Sequence, residues 1–273
     1  MQASPAWNPP GGTLGGIVSE ARDRVGALRG QRAELLARAR AALAAPAFGE
    51  ALRTSHVAVI AEVKRRSPSK GWINSTLSAP DQAAAYERGG AAAISVLTEP
   101  KHFGGSVDDV LAVRTAVQIP VLKKDFHVDP VQLLEAKAIG ASAALLIARA
   151  LSPDDLRRMT DAAREIDLEV LVEIRDEEEL GRALDAGARI IGINNRNLET
   201  LAIDAATSER LLGSIPAELV GIAESGVSAR SDVERVARAG ADAVLVGSVI
   251  SAASDPAASV RDLATVVRVG RER

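Results

Sequence analysis

The chain has no cysteine and only six aromatic residues among 273 (two Trp, one Tyr, three Phe). Without cysteine there is no disulfide, no thiol nucleophile and no thiolate metal site, a usage compatible with a reducing compartment. The three histidines, His56, His102 and His127, are far apart in sequence and lack the close pairing of a zinc-binding helix. No metal is therefore expected. No apolar run approaches the roughly 18 residues of a membrane span, and the N-terminus shows no charged segment leading into an apolar core. The formal charge of -3 lacks the basic excess of a general nucleic-acid binder. These absences leave a cytoplasmic protein, off the membrane and off nucleic acid, as the expectation.

What is present is ordinary globular composition, 47% hydrophobic and 25% charged, in a chain long enough for one large core or two modest ones. Residues 1–12 are rich in Pro and Gly and read as a loose segment. From 13 to 45, Ala, Leu, Arg and Glu dominate with apolar positions at helical spacing. Eight short apolar runs follow, at 57–64, 92–98, 120–125, 143–149, 168–174, 189–194, 219–224 and 243–247, with helical stretches between them. Such alternation implies a parallel sheet. Gly-Ala pairs at Gly90, Gly140, Gly187 and Gly240, spaced by 50, 47 and 53 residues, each close a helical stretch just before an even-numbered run. Glycine there suits a left-handed helix stop. The unit is two strand–helix pairs used four times. A doubly wound sheet could carry eight strands, but no GxGxxG turn follows the first one. The expectation is an α/β fold, a single (β/α)8 TIM barrel over 46–273 with an N-terminal helical extension over 1–45.

In such a barrel, function sits at the C-terminal ends of the strands. Glu62 and Lys64 close the first run two residues apart, so they share one side of the strand. Burying them is costly unless they are paired or used. Lys123 and Lys124 end the third run; alternation turns only one inward and leaves the other to structure. Glu173 is a lone carboxylate in a β-branched run, and Asn194, Asn195 and Arg196 follow the sixth. The fourth run ends in Ala148-Arg149, with no obvious catalytic group. Each residue also has a plain explanation: a solvated strand end, a turn amide for the asparagines, a buried ion pair for Glu224. Convergence of Glu62, Glu173, Lys64 and Lys124 on one rim weakens those explanations, because mixed charges shift pKa values both ways, as acid–base chemistry at neutral pH requires.

Ser225-Gly226 after the seventh run and Gly247-Ser248 after the eighth stand where barrels often hold phosphate on backbone N–H groups. Simple helix capping by the serines is the alternative. Ser67, after the first run, could close the same anion site. Phe103 and Phe126 follow the second and third runs and read either as a flat wall for an aryl group or as loop packing. Tyr86 reads as core, Trp72 as part of a mobile cover, and His102 and His127 as loop residues.

Taken in order, the motifs Ile60-Ala61-Glu62-Val63-Lys64-Arg65-Arg66-Ser67-Pro68-Ser69, Ser95-Val96-Leu97-Thr98-Glu99 with Phe103-Gly104-Gly105-Ser106, Lys124-Asp125-Phe126, Leu171-Val172-Glu173, Gly192-Ile193-Asn194-Asn195-Arg196-Asn197-Leu198, Glu224-Ser225-Gly226 and Val246-Gly247-Ser248 resemble the indole-3-glycerol phosphate synthase family. They cover about 56–250, and the helical extension also fits. The resemblance implies closure of 1-(2-carboxyphenylamino)-1-deoxyribulose 5-phosphate, an anionic phosphosugar-anthranilate, to an indole with loss of CO2 and water, without metal or organic cofactor. It implies Lys124 as the acid that protonates the ketone oxygen. Lys64 would pair with the substrate carboxylate or act as the acid for dehydration. Glu173 would stabilise the iminium charge and take the proton that restores aromaticity. Glu62 and Asn194 would orient the lysines and substrate, supported by Arg196 and Ser225. Ser67, Gly226, Gly247 and Ser248 would hold the phosphate, and Phe103, Phe126 and Leu145 would pack on the anthranilate ring.

Two residues depart from the family's pattern: Trp72 is unusually bulky, and His127 stands where an aliphatic residue is expected. Both bear on loop closure and affinity rather than on the acid–base set. Phosphoribosylanthranilate isomerase resembles this pattern at the phosphate end but uses a cysteine base, which this chain lacks. A non-catalytic barrel binding a phosphometabolite would be favoured by loss of Lys124 or Glu173, and both are present. A monomer or weak oligomer is expected.

Overall fold

A computed structural model describes residues 7–271. Eight parallel strands close into a barrel: β1 (Ala58–Val63), β2 (Ala93–Leu97), β3 (Val121–Lys124), β4 (Ala143–Ile147), β5 (Glu169–Ile174), β6 (Ile190–Asn194), β7 (Val220–Glu224) and β8 (Ala243–Val246). Each coincides with one of the eight apolar runs. Helices cover the outside, so the strands are apolar on both faces, as parallel strands must be when buried on both sides. Gly90, Gly140, Gly187 and Gly240 all have positive φ, between +76° and +97°, and end helices as the Gly-Ala repeat implies. No helix among the described residues is long and apolar enough to cross a membrane.

Period-two alternation decides which residues enter the barrel. Ala58 and Ile60 of β1, Leu122 of β3, Leu171 of β5, Ile190 of β6, Ile222 of β7 and Leu245 of β8 share the interior cluster. Two residues on from these, at the C-terminal end, stand Glu62, Lys124, Glu173, Gly192, Glu224 and Gly247. Phe48 and Leu52, fully buried before β1, join the same interior cluster.

The helical stretch over 13–45 is two helices, α1 (Gly12–Gly30) and α2 (Arg32–Ala41), broken at Gly30-Gln31. Loss of helical geometry at Gln31 (φ -101°, ψ 7°) turns the chain. Helix α1 buries Leu14, Ile17, Val18, Ala21 and Val25, a helical stripe. The first four of these belong to the barrel's interior cluster, so α1 closes over the mouth instead of packing beside it. Helix α2 packs through Leu35 and Ala39 against Val131 and Leu134. Of the segment 1–12, residues 1–6 lie outside the described residues, and 7–11 form no regular element.

Candidate active site

Lys124 is the centre of the site. Its ammonium donates to Glu224 at 2.7 Å and lies 3.6 Å from Glu173 and 4.0 Å from Glu62. Lys64 pairs with the other oxygen of Glu62 at 2.5 Å. Asn194 donates to Glu173 at 2.9 Å, and its own Oδ1 accepts the Arg196 N–H at 2.9 Å. All three carboxylates are buried. Burial works against the charged lysine, but Glu224, Glu173 and Glu62 together raise its pKa well above the ordinary value. Burial likewise pushes the Glu62 carboxyl up, and Lys64 and Lys124 outweigh it, leaving Glu62 lowered and ionised. Glu224 is raised, first by burial and then by Glu173 and Glu62, against the pull of Lys124. Glu224 therefore retains a proton more readily than Glu62.

Two glycines make room for this charge. A Cβ on Gly247 would sit 2.5 Å from Oε1 of Glu62, and one on Gly192 would overlap Oε1 of Glu224. Oε1 of Glu224 is buried and accepts no hydrogen bond.

All fourteen candidate residues line one cavity of about 340 Å³ at the mouth. Ser225 (φ +62°) and Gly226 (φ +83°) turn the chain at the end of β7. The short helix Ser248–Ser251 starts beside them, its first N–H groups without intrahelical partners. Ser67, whose hydroxyl accepts the Lys70 N–H at 3.2 Å, faces them from the loop after β1. Opposite, Phe103 and Phe126 are tilted at 36° with ring centroids 6.1 Å apart, and Leu145 completes that wall.

Further residues belong here. Glu224 is the nearest partner of Lys124, the buried ion pair that its strand-end position suggested. Thr13, Leu14 and Ile17 of α1 line the same cavity, which nothing local in their sequence announces. Helix α1 is tied down by Glu20, paired with Lys101 at 2.5 Å and His102 at 2.8 Å, and by Arg24 on Asp125 at 2.8 Å. His102 thus lies among carboxylates, with Glu20 and Glu99 in reach, contrary to its reading as an unaccompanied loop residue. Glu99 is already occupied, capping the N–H groups of Lys101, His102 and Phe103.

His127 is in the loop after β3, as expected, and is a buried scaffold group there. Its Nδ1 donates to the Leu145 carbonyl at 2.7 Å, and Nε2 accepts from Lys123 at 3.2 Å. Burial first, then the Lys123 charge, push its pKa down to about 3. Lys123, the outward lysine, pairs with Glu135 at 3.1 Å. Asn195 is structural too, accepting from Ser208 N and Oγ and donating to the Ser225 carbonyl. Tyr86 is core, with its hydroxyl bonded to Ser251 and the Glu62 carbonyl. Trp72 is 60% exposed, on a small hairpin pairing Arg66–Ser67 with Gly71–Trp72, its ring 5.6 Å from the Arg66 guanidinium. Arg65 fixes that loop with two bonds to Asp109 at 2.6 and 2.8 Å.

The family profile for indole-3-glycerol phosphate synthase matches residues 14–263. An indole-3-glycerol phosphate synthase from Kineococcus radiotolerans is 54% identical over 210 residues, covering 76% of each chain. The indole-3-glycerol phosphate synthase 2 of Streptomyces coelicolor is 45% identical over 254 residues, covering 92% of this chain and 98% of that protein. Among solved structures, a thiamine phosphate pyrophosphorylase from Pyrococcus furiosus superposes with a TM-score of 0.58 over 78% of this chain and 95% of its own, at 16% identity, which speaks for the barrel fold alone. With the profile spanning most of its length and relatives this similar, the chain belongs to the indole-3-glycerol phosphate synthase family.

Proposed function

We propose that the site closes 1-(2-carboxyphenylamino)-1-deoxyribulose 5-phosphate to indole-3-glycerol phosphate, as a carboxy-lyase of tryptophan biosynthesis. The observation that carries this reading is Lys124, an ammonium held among Glu224, Glu173 and Glu62 at 2.7, 3.6 and 4.0 Å, in a cavity lined by apolar side chains and by the Ser225-Gly226 turn. The aryl ring packs between Phe103, Phe126 and Leu145. The phosphate rests on Ser67, Gly226, Gly247 and Ser248, where glycine admits close backbone approach.

In the first step the aryl carbon attacks the ketone carbon and Lys124 protonates the ketone oxygen. Loss of CO2 restores the aromatic ring. Lys64, paired until then with Glu62, meets the substrate carboxylate and then supplies the proton that lets the new hydroxyl leave as water. Glu173, oriented by Asn194, stabilises the iminium charge and takes a proton from the former methylene carbon. Two protons go to oxygen and one comes from carbon, so each carboxylate substrate consumes one proton as it becomes indole, CO2 and water. Glu62 and Asn194 orient the lysines and substrate, and Arg196 and Ser225 support them. None of these steps calls on a metal or organic cofactor.

We read residues 1–45 as an extension whose helix α1 forms part of the site, on a monomer or weak oligomer. A phosphorylated anion does not cross a bilayer unaided, which supports a cytoplasmic setting. The test is indole fluorescence on adding the carboxyphenylamino-deoxyribulose phosphate to purified protein, with no cofactor added. No signal at high protein concentration would sink the reading.

A further inference from the structure

Beside the mouth, at the ends of β4, β5 and β6, lies a second cavity of about 170 Å³. It shares Glu173, Asn194, Arg196, Leu14, Ile147 and Leu198 with the first, so these side chains are a partition seen from both sides. Beyond the partition the lining is almost wholly polar, with Arg149, Glu179 and Glu199 among it. Exposure rises along it: Glu173 and Glu179 are 4% and 6% exposed, whereas Arg175, Asp176, Asn197 and Glu199 are half-buried. A polar space of this size holds several waters, with enough partners to order them.

The proposed reaction gives such a space a use. One proton is consumed per turnover, and Glu173 must shed the proton it collects. Substrate fills the mouth at that moment, and α1 lies across it. Resting on the synthase reading, we propose that this side cavity is a second solvent route to Glu173, with Glu179 as the group that exchanges protons between its waters and bulk solvent.

Glu179 has an evident structural duty: Oε2 accepts the Arg175 N–H at 2.8 Å, and Asp176 accepts its N–H at 2.8 Å, a helix cap. That duty occupies one oxygen and does not require lining a polar chamber shared with Glu173. The charges around it are Arg175, Asp176 and Arg182 on its own segment, Arg149 and Glu199 across the cavity, paired at 2.8 Å, and Arg196 and Glu173 at the partition. Burial and then Asp176 push its carboxyl up to about 7, against Arg182 and Arg149. Such a group gains and loses a proton readily at neutral pH.

Glu179→Gln keeps the cap acceptor and the volume but cannot carry a proton. Single-turnover rates are measured from pH 5.5 to 9 in H2O and D2O, with KM and melting temperature alongside. The rate at pH 7 is expected to fall roughly three- to ten-fold, less than the 10²–10⁴ of a group acting directly on substrate. KM stays unchanged, the solvent isotope effect rises, and the limb near pH 7 disappears. Independently of turnover, parent minus variant should leave one infrared carboxyl stretch titrating near pH 7, with the raised Glu224 carboxyl contributing equally to both. A variant matching the parent in rate, pH profile and isotope effect overturns the route. A slower variant with an unchanged profile and isotope effect also overturns it, since that marks damage to the cap alone. A parent that makes no indole while keeping the titrating carboxyl overturns the synthase reading and the route's use, but not the cavity's proton-exchanging group.

Discussion

Lys124 gives its shortest bond, 2.7 Å, to Glu224 and keeps Glu173 at 3.6 Å. The acid is thus anchored on a carboxylate with no assigned step, leaving Glu173 free to meet substrate. Removing the ammonium should therefore stop proton delivery without emptying the pocket. Lys124→Ala is expected to lower kcat by about 10²–10⁴-fold while substrate still binds, as judged by quenching of product-free enzyme and by single-turnover assay. Near-normal kcat would assign the acid to Lys64 instead.

The phosphate end should answer differently. Ser248→Ala removes one donor to a charged group, a loss of about 1.5–3 kcal/mol, and should raise KM by roughly ten-fold or more with kcat little changed. Gly247→Ala should instead damage the acid–base set, because its Cβ would lie 2.5 Å from Oε1 of Glu62. Equal KM and kcat effects in the two variants would count against this division of labour.

His127 predicts a pH dependence of stability. Its pKa is 6.5 in an unfolded chain and about 3 in the fold. Between these values the unfolded chain binds a proton that the folded chain refuses, so stability rises with pH. The contribution is complete above pH 6.5 and falls away as pH drops towards 3. His127→Gln, able to keep the bond to the Leu145 carbonyl, should show a smaller drop in urea midpoint from pH 7 to pH 5 than the parent. Equal drops would assign the acid sensitivity elsewhere.

The latch on α1 makes a further prediction. Glu20→Gln weakens the contacts to both Lys101 and His102 without changing volume, while Leu14 and Ile17 stay buried. These are partly exposed pairs, worth little to global stability. Melting should barely move, whereas KM should rise several-fold because α1 and the Phe103 wall lose their common tie. An unchanged KM would make the latch ornamental.

Alternation left Lys123 and Lys124 open, and the family resemblance chose Lys124; strand order, barrel closure and the inward placement of Glu62 and Glu173 were legible in the chain itself. Each depends on local periodicity: alternation of two along a strand, and a Gly-Ala stop ending each second helix. The break at Gln31 was less legible, because nothing in its composition separates α1 from α2 until each packs on a different surface. The burial of His127 in its loop was illegible for a related reason. A histidine after a strand is exposed by default, and only the approach of the Leu145 carbonyl, eighteen positions on, and of Lys123 makes it a buried scaffold group.

By itself the sequence determined which side chains enter the barrel and where its chemistry had to sit, because strand alternation is set by backbone geometry alone. Tertiary structure decided which of those charges touch. Glu224 rather than Glu173 is the close partner of Lys124, although the two are 100 positions apart. Helix α1 lines the mouth, and Glu173 looks into a second chamber. Contact between distant segments depends on how helices and strands pack in three dimensions, and no run of neighbouring residues records it.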